Sequence, residues 1–249
     1  MRRDSTYFFV DQYNAEFNRC VQPMKDGYTD NYYMQMAQNL RRYKGVRPIP
    51  ELAGLQDMPI DGDFADWSKV AVEYRDTVGD AVHHDYKGYG GLHYKNDSGR
   101  NDIVTCKVAV GKKLVYFYVE TNEALTPHTG DNWMLLLIDA DKNPDTGWHG
   151  YDFMINKKVV DEKTTALMRY DTKSPDNPWV EQAQLKYRYT GKQLVVAVPR
   201  KLLGLSGKSI AFDFKWSDHP AELKDPISLC VSGDSAPNRR FNYRCIWKQ

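Results

Sequence analysis

The sequence has no long hydrophobic run. No stretch approaches the ~18 consecutive apolar residues that would cross a bilayer as a helix, so no membrane insertion is expected. It has no excess of either charge: 34 Lys+Arg stand against 33 Asp+Glu, a formal net charge of +1. That balance offers no basic patch for nucleic acid and no like-charge block for a membrane surface. Cysteine is scarce: Cys20, Cys106, Cys230 and Cys245 show no CxxC spacing and no His partners at zinc-finger distances. The GxSxG, P-loop, HExxH and kinase signatures are all missing, as is any internal repeat. No secretory leader is recognisable. Met1-Arg2-Arg3-Asp4 runs into Tyr7-Phe8-Phe9-Val10, too short for a leader's apolar region, so the chain reads as cytoplasmic or as an interior piece of a longer protein.

Aromatic side chains are abundant. Seventeen Tyr, nine Phe and six Trp make 13 % of the chain, within 41 % apolar residues and a mean hydropathy of −0.66. Apolar content at that level can fill a core in a globular protein. Tyr and Trp combine an apolar face with a polar edge, which suits half-exposed binding surfaces, although β-rich proteins favour aromatics anyway.

Residues 1–45 differ in character from the rest. Tyr7–Val10 reads as a strand, and Thr29 or Asp30 caps a helix over Asn31–Lys44 that Gly45 stops. Tyr32, Met36, Leu40 and Tyr43 recur at helical spacing, so one face of that helix calls for a partner. Residues 46–59 hold Pro48, Pro50 and Pro59 without periodicity and read as a linker. From Ile60 onward the pattern is β. Strands are expected at about 68–74, 103–110, 113–121, 132–139, 150–156, 164–170, 179–189, 193–199, 209–217, 226–231 and 241–247, with a short helix over 199–205. Many short strands between turn signals predict an all-β, two-sheet antiparallel sandwich over 60–249, with the strand–helix piece as an appendage. Cys230 and Cys245 close the last expected hairpin and can pair across it.

The densest chemical signal is the turn after the strand ending near Ile138. Asp139, Asp141, Asn143 and Asp145 occupy positions 1, 3, 5 and 7 of a loop, a spacing at which several oxygens converge on one hard cation. An EF-hand would need Gly at position 6 and Glu at position 12; Pro144 and Gly150 stand there, so this is not one. Two readings stay open. Calcium is held with help from backbone carbonyls or Asp152, or the carboxylates only cap backbone N–H groups of a tight turn. A second polar stretch, with His83, His84, Asp85, His93 and Asp97, reads as a surface loop; a metal cluster there is the weaker alternative.

Ile60-Asp61-Gly62-Asp63-Phe64-Ala65-Asp66-Trp67, then Val115-Tyr116-Phe117-Tyr118-Val119-Glu120-Thr121, then the strand–Asp–turn–strand segment just described, resemble in order and spacing the family 9 carbohydrate-binding modules and their DOMON-like relatives. The resemblance covers about 60–249. It implies a β-sandwich that binds oligo- or polysaccharide without catalysis, structural calcium, a monomer, and a secreted, periplasmic or cell-surface setting as an accessory module of a glycan-degrading protein. Residues 1–45 look like the last β/α unit of a glycosidase-like barrel. Asp11 and Glu16 would then be relics of an active-site edge, unable to act as a carboxylate pair without the rest of the barrel.

Sugar rings present apolar C–H faces, so flat exposed side chains ringed by polar groups are the expected contacts. Trp67 reads as a core staple of the family, and Trp133, in phase with Leu135 and Leu137, as core. Trp148 lies squarely in the turn beside Tyr151 and is the first choice as platform, with Trp179 and Trp216 behind it. Gln184 and Arg188 belong to a polar ladder, with Gln182 and Lys186, that can supply hydrogen bonds. Two other readings remain: the C-terminal part of a glycoside hydrolase, or a DOMON-like small-ligand or haem module needing a Met/His axial pair.

Overall fold

The computed structural model describes residues 31–45, 48–81, 83–87, 93–174, 177–238 and 240–249. The expected strand at 7–10, Asp11, Glu16 and Cys20 lie outside them. The chain divides into two compact units: Met1–Pro48 with Asp85–Lys95, and Ile49–His84 with Asn96–Gln249.

In the first unit, helix α1 (Asn31–Lys44) has the expected span, with Arg41, Arg42 and Lys44 in the last turn, where positive charge meets the negative end of the helix dipole. Gly45 stops it at φ 78°. Met36, Leu40 and Tyr43, three residues of the apolar stripe that calls for a partner, are exposed by 41, 48 and 88 %. The polar stretch with His83, His84, Asp85, His93 and Asp97, expected as a surface loop, contains a two-stranded sheet, β3 (His84–Lys87) and β4 (His93–Asn96).

The second unit is all-β. Its strands are β1 (Glu51–Ala53), β2 (Tyr74–Arg75), β5 (Ile103–Val110), β6 (Leu114–Thr121), β7 (Leu135–Asp139), β8 (Phe153–Val159), β9 (Thr164–Tyr170), β10 (Trp179–Thr190), β11 (Gln193–Pro199), β12 (Ser209–Asp218), β13 (Asp234–Ala236) and β14 (Tyr243–Lys248). They form one continuous twelve-stranded sheet, in the order β1-β14-β12-β7-β8-β9-β10-β11-β6-β5-β2, with β13 paired to β12. The expected two separate sheets are therefore halves of one curled sheet. Strand β10 joins them: Trp179–Lys186 pairs with β9, Tyr187–Thr190 pairs with β11, and a bulge lies between Glu181 and Ala183. A bulge adds bend and twist to the strand that the two halves share.

Alternation along the strands fixes what each face does. In β6, Val115, Phe117 and Val119 enter the main core, while Tyr116 and Tyr118 enter a second cluster on the other side. In β7, Leu136 and Ile138 join the main core, while Leu135 and Leu137 join a third cluster. Both faces of these strands are covered, which accounts for their unbroken apolar sequences. The two halves meet through rings: Phe117 of β6 lies 5.6 Å from Phe212 and 5.8 Å from Phe214 of β12, both edge-on. Tyr74 of β2 meets Phe214 edge-on at 5.1 Å.

Several expectations are corrected. Within the linker expected at 46–59, Glu51–Ala53 joins the sheet: β1 runs parallel to β14, and Gln56 N–H donates to the Val110 carbonyl at 2.8 Å. The expected strand at 68–74 shrinks to β2, preceded by a 3-10 turn at Ala65–Lys69. The expected helix over 199–205 is a hydrogen-bonded turn, with Leu205 N–H on the Arg200 carbonyl at 2.9 Å. The expected strand at 226–231 is a 3-10 turn (Ser228–Cys230) that buries Leu229, and β13 takes its place in the sheet. Cys230 and Cys245 are therefore not cross-strand neighbours and remain thiols.

The ring contacts between the halves set a stability prediction. Phe214→Ala is expected to lower the unfolding free energy in urea by about 3–5 kcal/mol, with no change in the denaturant slope.

Candidate functional site

Strand β7 ends at Asp139, and the chain returns as β8 after a turn that is both a capping device and a cluster of acid groups. Asp139 Oδ1 accepts from Lys142 N–H at 2.5 Å, Asp141 Oδ1 from Asn143 N–H at 2.8 Å and Asn143 Oδ1 from Asp145 N–H at 3.1 Å. Thr146 Oγ1 reaches both Asp141 oxygens at 3.1 Å. Asp152 Oδ2 accepts from Ala140 N–H at 2.9 Å, which closes the base of the turn. Gly147 has φ 61°, and a Cβ there would sit 2.2 Å from the Tyr151 carbonyl oxygen, so only glycine fits.

Asp139, Asp141 and Asp152 also bring one oxygen each within 4.8 Å of the others. Burial first, and then the carboxylates of Asp213, Asp152 and Asp141, push Asp139 up to about 6, against the pull of the Lys142 N–H. Asp152 is raised too, chiefly by burial. Three hard oxygens that repel one another in a partly desolvated turn are a donor set that fits calcium. Of the other two residues expected as ligands, Asn143 Oδ1 accepts the Asp145 N–H within the turn, and Asp145 is exposed and not part of this carboxylate trio.

All four aromatics expected at a sugar surface are buried. Trp148 is 7 % exposed, Tyr151 2 %, Trp179 6 % and Trp216 0 %. The turn does not project. Trp148 and Tyr151 form an antiparallel bridge that lays both rings on the outer face of the sheet, with Leu135, Leu137, Met154 and Leu229. Tyr151 OH donates to Asn242 Oδ1 at 2.6 Å. Trp216 is in the main core, on the opposite side of the sheet.

The outer rings nevertheless form a chain that reaches the surface. Trp148 meets Trp179 at 6.3 Å and 65°, and Trp179 meets Tyr170 at 5.2 Å and 72°. Tyr170 is half-buried and lines an open groove of about 620 Å³ together with Asp141, Asp145, Arg169, Lys173 and Gln182. Neither of the two ladder residues singled out from sequence enters it. Gln184 lines a separate depression with Leu114 and Tyr116, and the Arg188 guanidinium donates to the Tyr187 carbonyl at 2.7 Å. Sequence reasoning missed Tyr170 and Arg169. Both sit at the end of β9, and nothing in the local pattern sets them apart from strand residues.

The histidine-rich stretch does not form a cluster of three among the described residues. His93 pairs with Asp85 at 2.5 Å, and His83 lies 3.7 Å from Asp97.

A second acid cluster had no signal in the sequence. Asp76 and Asp80 follow β2, Asp234 begins β13, and one oxygen from each lies within 4.8 Å of the others. Asp234 accepts from Ile103 N–H at 2.6 Å and from Ser235 N–H at 2.7 Å. Asn238 Nδ2 donates to Asp80 and, at 3.4 Å, to Asp76. Oδ2 of Asp76 and Oδ1 of Asp80 are buried and accept no hydrogen bond among the described residues. Lys215 is fully buried nearby and donates to the Pro237 carbonyl. Burial draws its ammonium down to about 8, against the electrostatic pull of Cys230, Asp76 and Asp234. Burial pushes Asp76 up to about 7; the Asp80 and Asp102 carboxylates add to this, while Thr77 N–H and Lys215 oppose it.

No protein-family model, curated protein or solved structure matches the chain.

These raised carboxyls give the fold a definite pH response. The unfolded chain ionises Asp76 and Asp139 near their ordinary value of 3.8, whereas the folded chain holds those protons up to about 7 and about 6. Between those limits the folded state binds more protons, so stability falls as pH rises. With chelator present, the melting temperature is expected to fall from pH 5 to pH 7.5. Asp76→Asn should flatten that fall and raise the melting temperature at pH 7.5, by about 2–4 °C for each kcal/mol relieved.

Proposed function

We propose that this chain is a non-catalytic carbohydrate-binding module, an accessory unit of a glycan-degrading protein that works outside the cytoplasm. The supporting observation is the groove beside Tyr170. It combines a half-buried ring, backed by Trp179 and Trp148, with donors from Arg169, Lys173 and Gln182 and acceptors from Asp141 and Asp145. A sugar needs that combination: a flat apolar face for its C–H bonds, and donors and acceptors side by side for its hydroxyls. The order of motifs from Ile60 to Phe153 that resembles carbohydrate-binding modules supports the same class.

In this reading Tyr170 stacks on the ring, Arg169 and Gln182 direct hydrogen bonds at hydroxyls, and the acidic turn forms one wall. Asp139, Asp141 and Asp152 would hold a calcium ion that neutralises the turn and fixes that wall. No residue of the groove is given a catalytic task.

Affinity electrophoresis against plant and host polysaccharides tests the binding. At least one neutral glycan should retard the chain, and Tyr170→Ala should weaken that retardation about tenfold or more. A clean negative across the panel refutes the reading, and hydrolysis of a chromogenic glycoside by the chain alone refutes its non-catalytic part. Calcium is tested separately. The ion should raise the melting temperature of the wild type, an effect worth about 2.7 kcal/mol at a hundredfold excess over Kd. Asp141→Ala should abolish the rise, and an unchanged melting curve with and without chelator would remove calcium from the scheme.

A further inference from the structure

On the outer face of the other half of the sheet, cross-strand pairing sets side chains in rows. Lys107, Tyr118 and Val195 form one row; Thr105, Glu120 and Gln193 form the next. The segment before β2 covers only the first. Trp67 stacks on Tyr118 at 4.9 Å and 23°, and Phe64 and Val70 close over Val195. Where that cover ends there is an open groove of about 520 Å³, with Phe64 and Trp67 as its wall and the second row along its floor.

Most donors of this groove are already engaged. Lys107 Nζ, on a residue only 9 % exposed, donates to the Trp67 and Val70 carbonyls at 3.1 Å each and faces Glu73 at 3.2 Å. Tyr118 OH donates to Glu120 Oε2 at 2.8 Å and accepts from Gln193 Nε2 at 2.7 Å. Thr190 Oγ1 donates to the Tyr189 carbonyl at 2.8 Å, and Ser68 Oγ to the Ala65 carbonyl at 2.6 Å.

The acceptors are not engaged to the same degree. Glu73 has cations on both sides, Lys107 and Arg75. Glu120 is half-buried, accepts one neutral hydroxyl, and has no cationic partner among the described residues. A carboxylate in that position gains most from a ligand that brings both positive charge and hydrogen-bond donors.

We infer that this groove is a second binding site and that it takes a sugar unit carrying a free ammonium group. Glu120 holds the ammonium by a charge-assisted hydrogen bond, Thr105 and Gln193 meet neighbouring hydroxyls, and the ring's apolar face lies toward Phe64 and Trp67. Uronate or sulfated units are excluded, because they bring negative charge to Glu120 while the groove's own cation is engaged. The choice of a sugar as the carrier of the ammonium rests on the carbohydrate reading above; the charge selectivity rests on this groove alone.

Calorimetric titration of the full chain with a glucosamine tetramer, its N-acetylated counterpart and a galacturonate tetramer tests the inference. The glucosamine tetramer should bind at least about tenfold more tightly than the N-acetylated one, and the galacturonate tetramer should not bind in the groove. High salt should erase the preference. Glu120→Gln, of the same shape, should abolish it, as should Thr105→Lys, which places an ammonium across from Glu120 without altering that residue. Equal affinity for the first two tetramers, or a preference that survives both groove variants, overturns the inference. If neutral glycans still bind in a Tyr170-dependent way in that case, only this inference falls. If no glycan binds at all, the carbohydrate reading falls with it.

Discussion

Strand β10 has to satisfy two neighbours along different parts of its length, β9 with Trp179–Lys186 and β11 with Tyr187–Thr190. Hydrogen bonding therefore keeps the strands in one sheet while the direction changes within a single strand. Once β10 bends, the two halves must bring their inner faces together, and the residues that meet are rings: Phe117 against Phe212 and Phe214. Burial of those rings drives the closure, and the shared strand sets its geometry. The same bend leaves two separate outer faces. Each is too apolar to face water, so each recruits a cover from the chain: the segment with Phe64 and Trp67 over one, and Trp148, Tyr151 and Leu229 over the other.

Charge buried beside this core is not compensated evenly. Lys215 occupies a position on β12 where its neighbours in sequence are Phe214 and Trp216, and it survives there because it reaches the Pro237 carbonyl and lies among carboxylates. Asp76, Asp80 and Asp234 in turn bring more negative charge to the region than one lysine offsets. Part of the difference is absorbed by backbone N–H groups on Asp234 and by Asn238, and part remains as carboxyls that are easier to protonate. Interiors of this kind trade stability at neutral pH for a site with unmet electrostatic demand.

Strands buried on both faces were the most legible part of the sequence. Residues 103–110, 164–170 and 193–199 are strands over the expected spans, because β-branched and aromatic residues run between unambiguous turn signals. Pairing partners were less legible. Residues 226–231 have strand-like composition, yet they form a 3-10 turn whose Leu229 serves as cover, while the polar Asp234–Ala236 joins the sheet. The acidic turn was legible as a turn from its Asp and Asn spacing, because Asp141 and Asn143 each accept the backbone N–H two residues on. Its Trp148 was misread because exposure does not follow from lying in a turn. The positive φ at Gly147 and the Trp148–Tyr151 bridge fold that ring back onto the sheet, and local sequence carries no mark of it. The trio Asp76, Asp80 and Asp234 was invisible for a different reason: only the closure of the sheet brings β2 and β13 together.

The two outer grooves arise in the same way, as places where a cover segment stops before the strands beneath it do, yet their chemistry diverges. Beside Tyr170, the cover is the acidic turn itself, and Arg169 and Lys173 line the groove together with the carboxylates of Asp141, Asp145, Asp152 and Asp171. Beside Trp67, the cover supplies backbone carbonyls, and Lys107 turns to them and to Glu73. Glu120 is thereby left as the carboxylate on the floor that no cation among the described residues answers. A shared architecture thus yields one surface where cations stand beside the carboxylates and one whose lysine is turned away from the floor carboxylate. The difference follows from what each cover presents to the strands, whose fold is common to both.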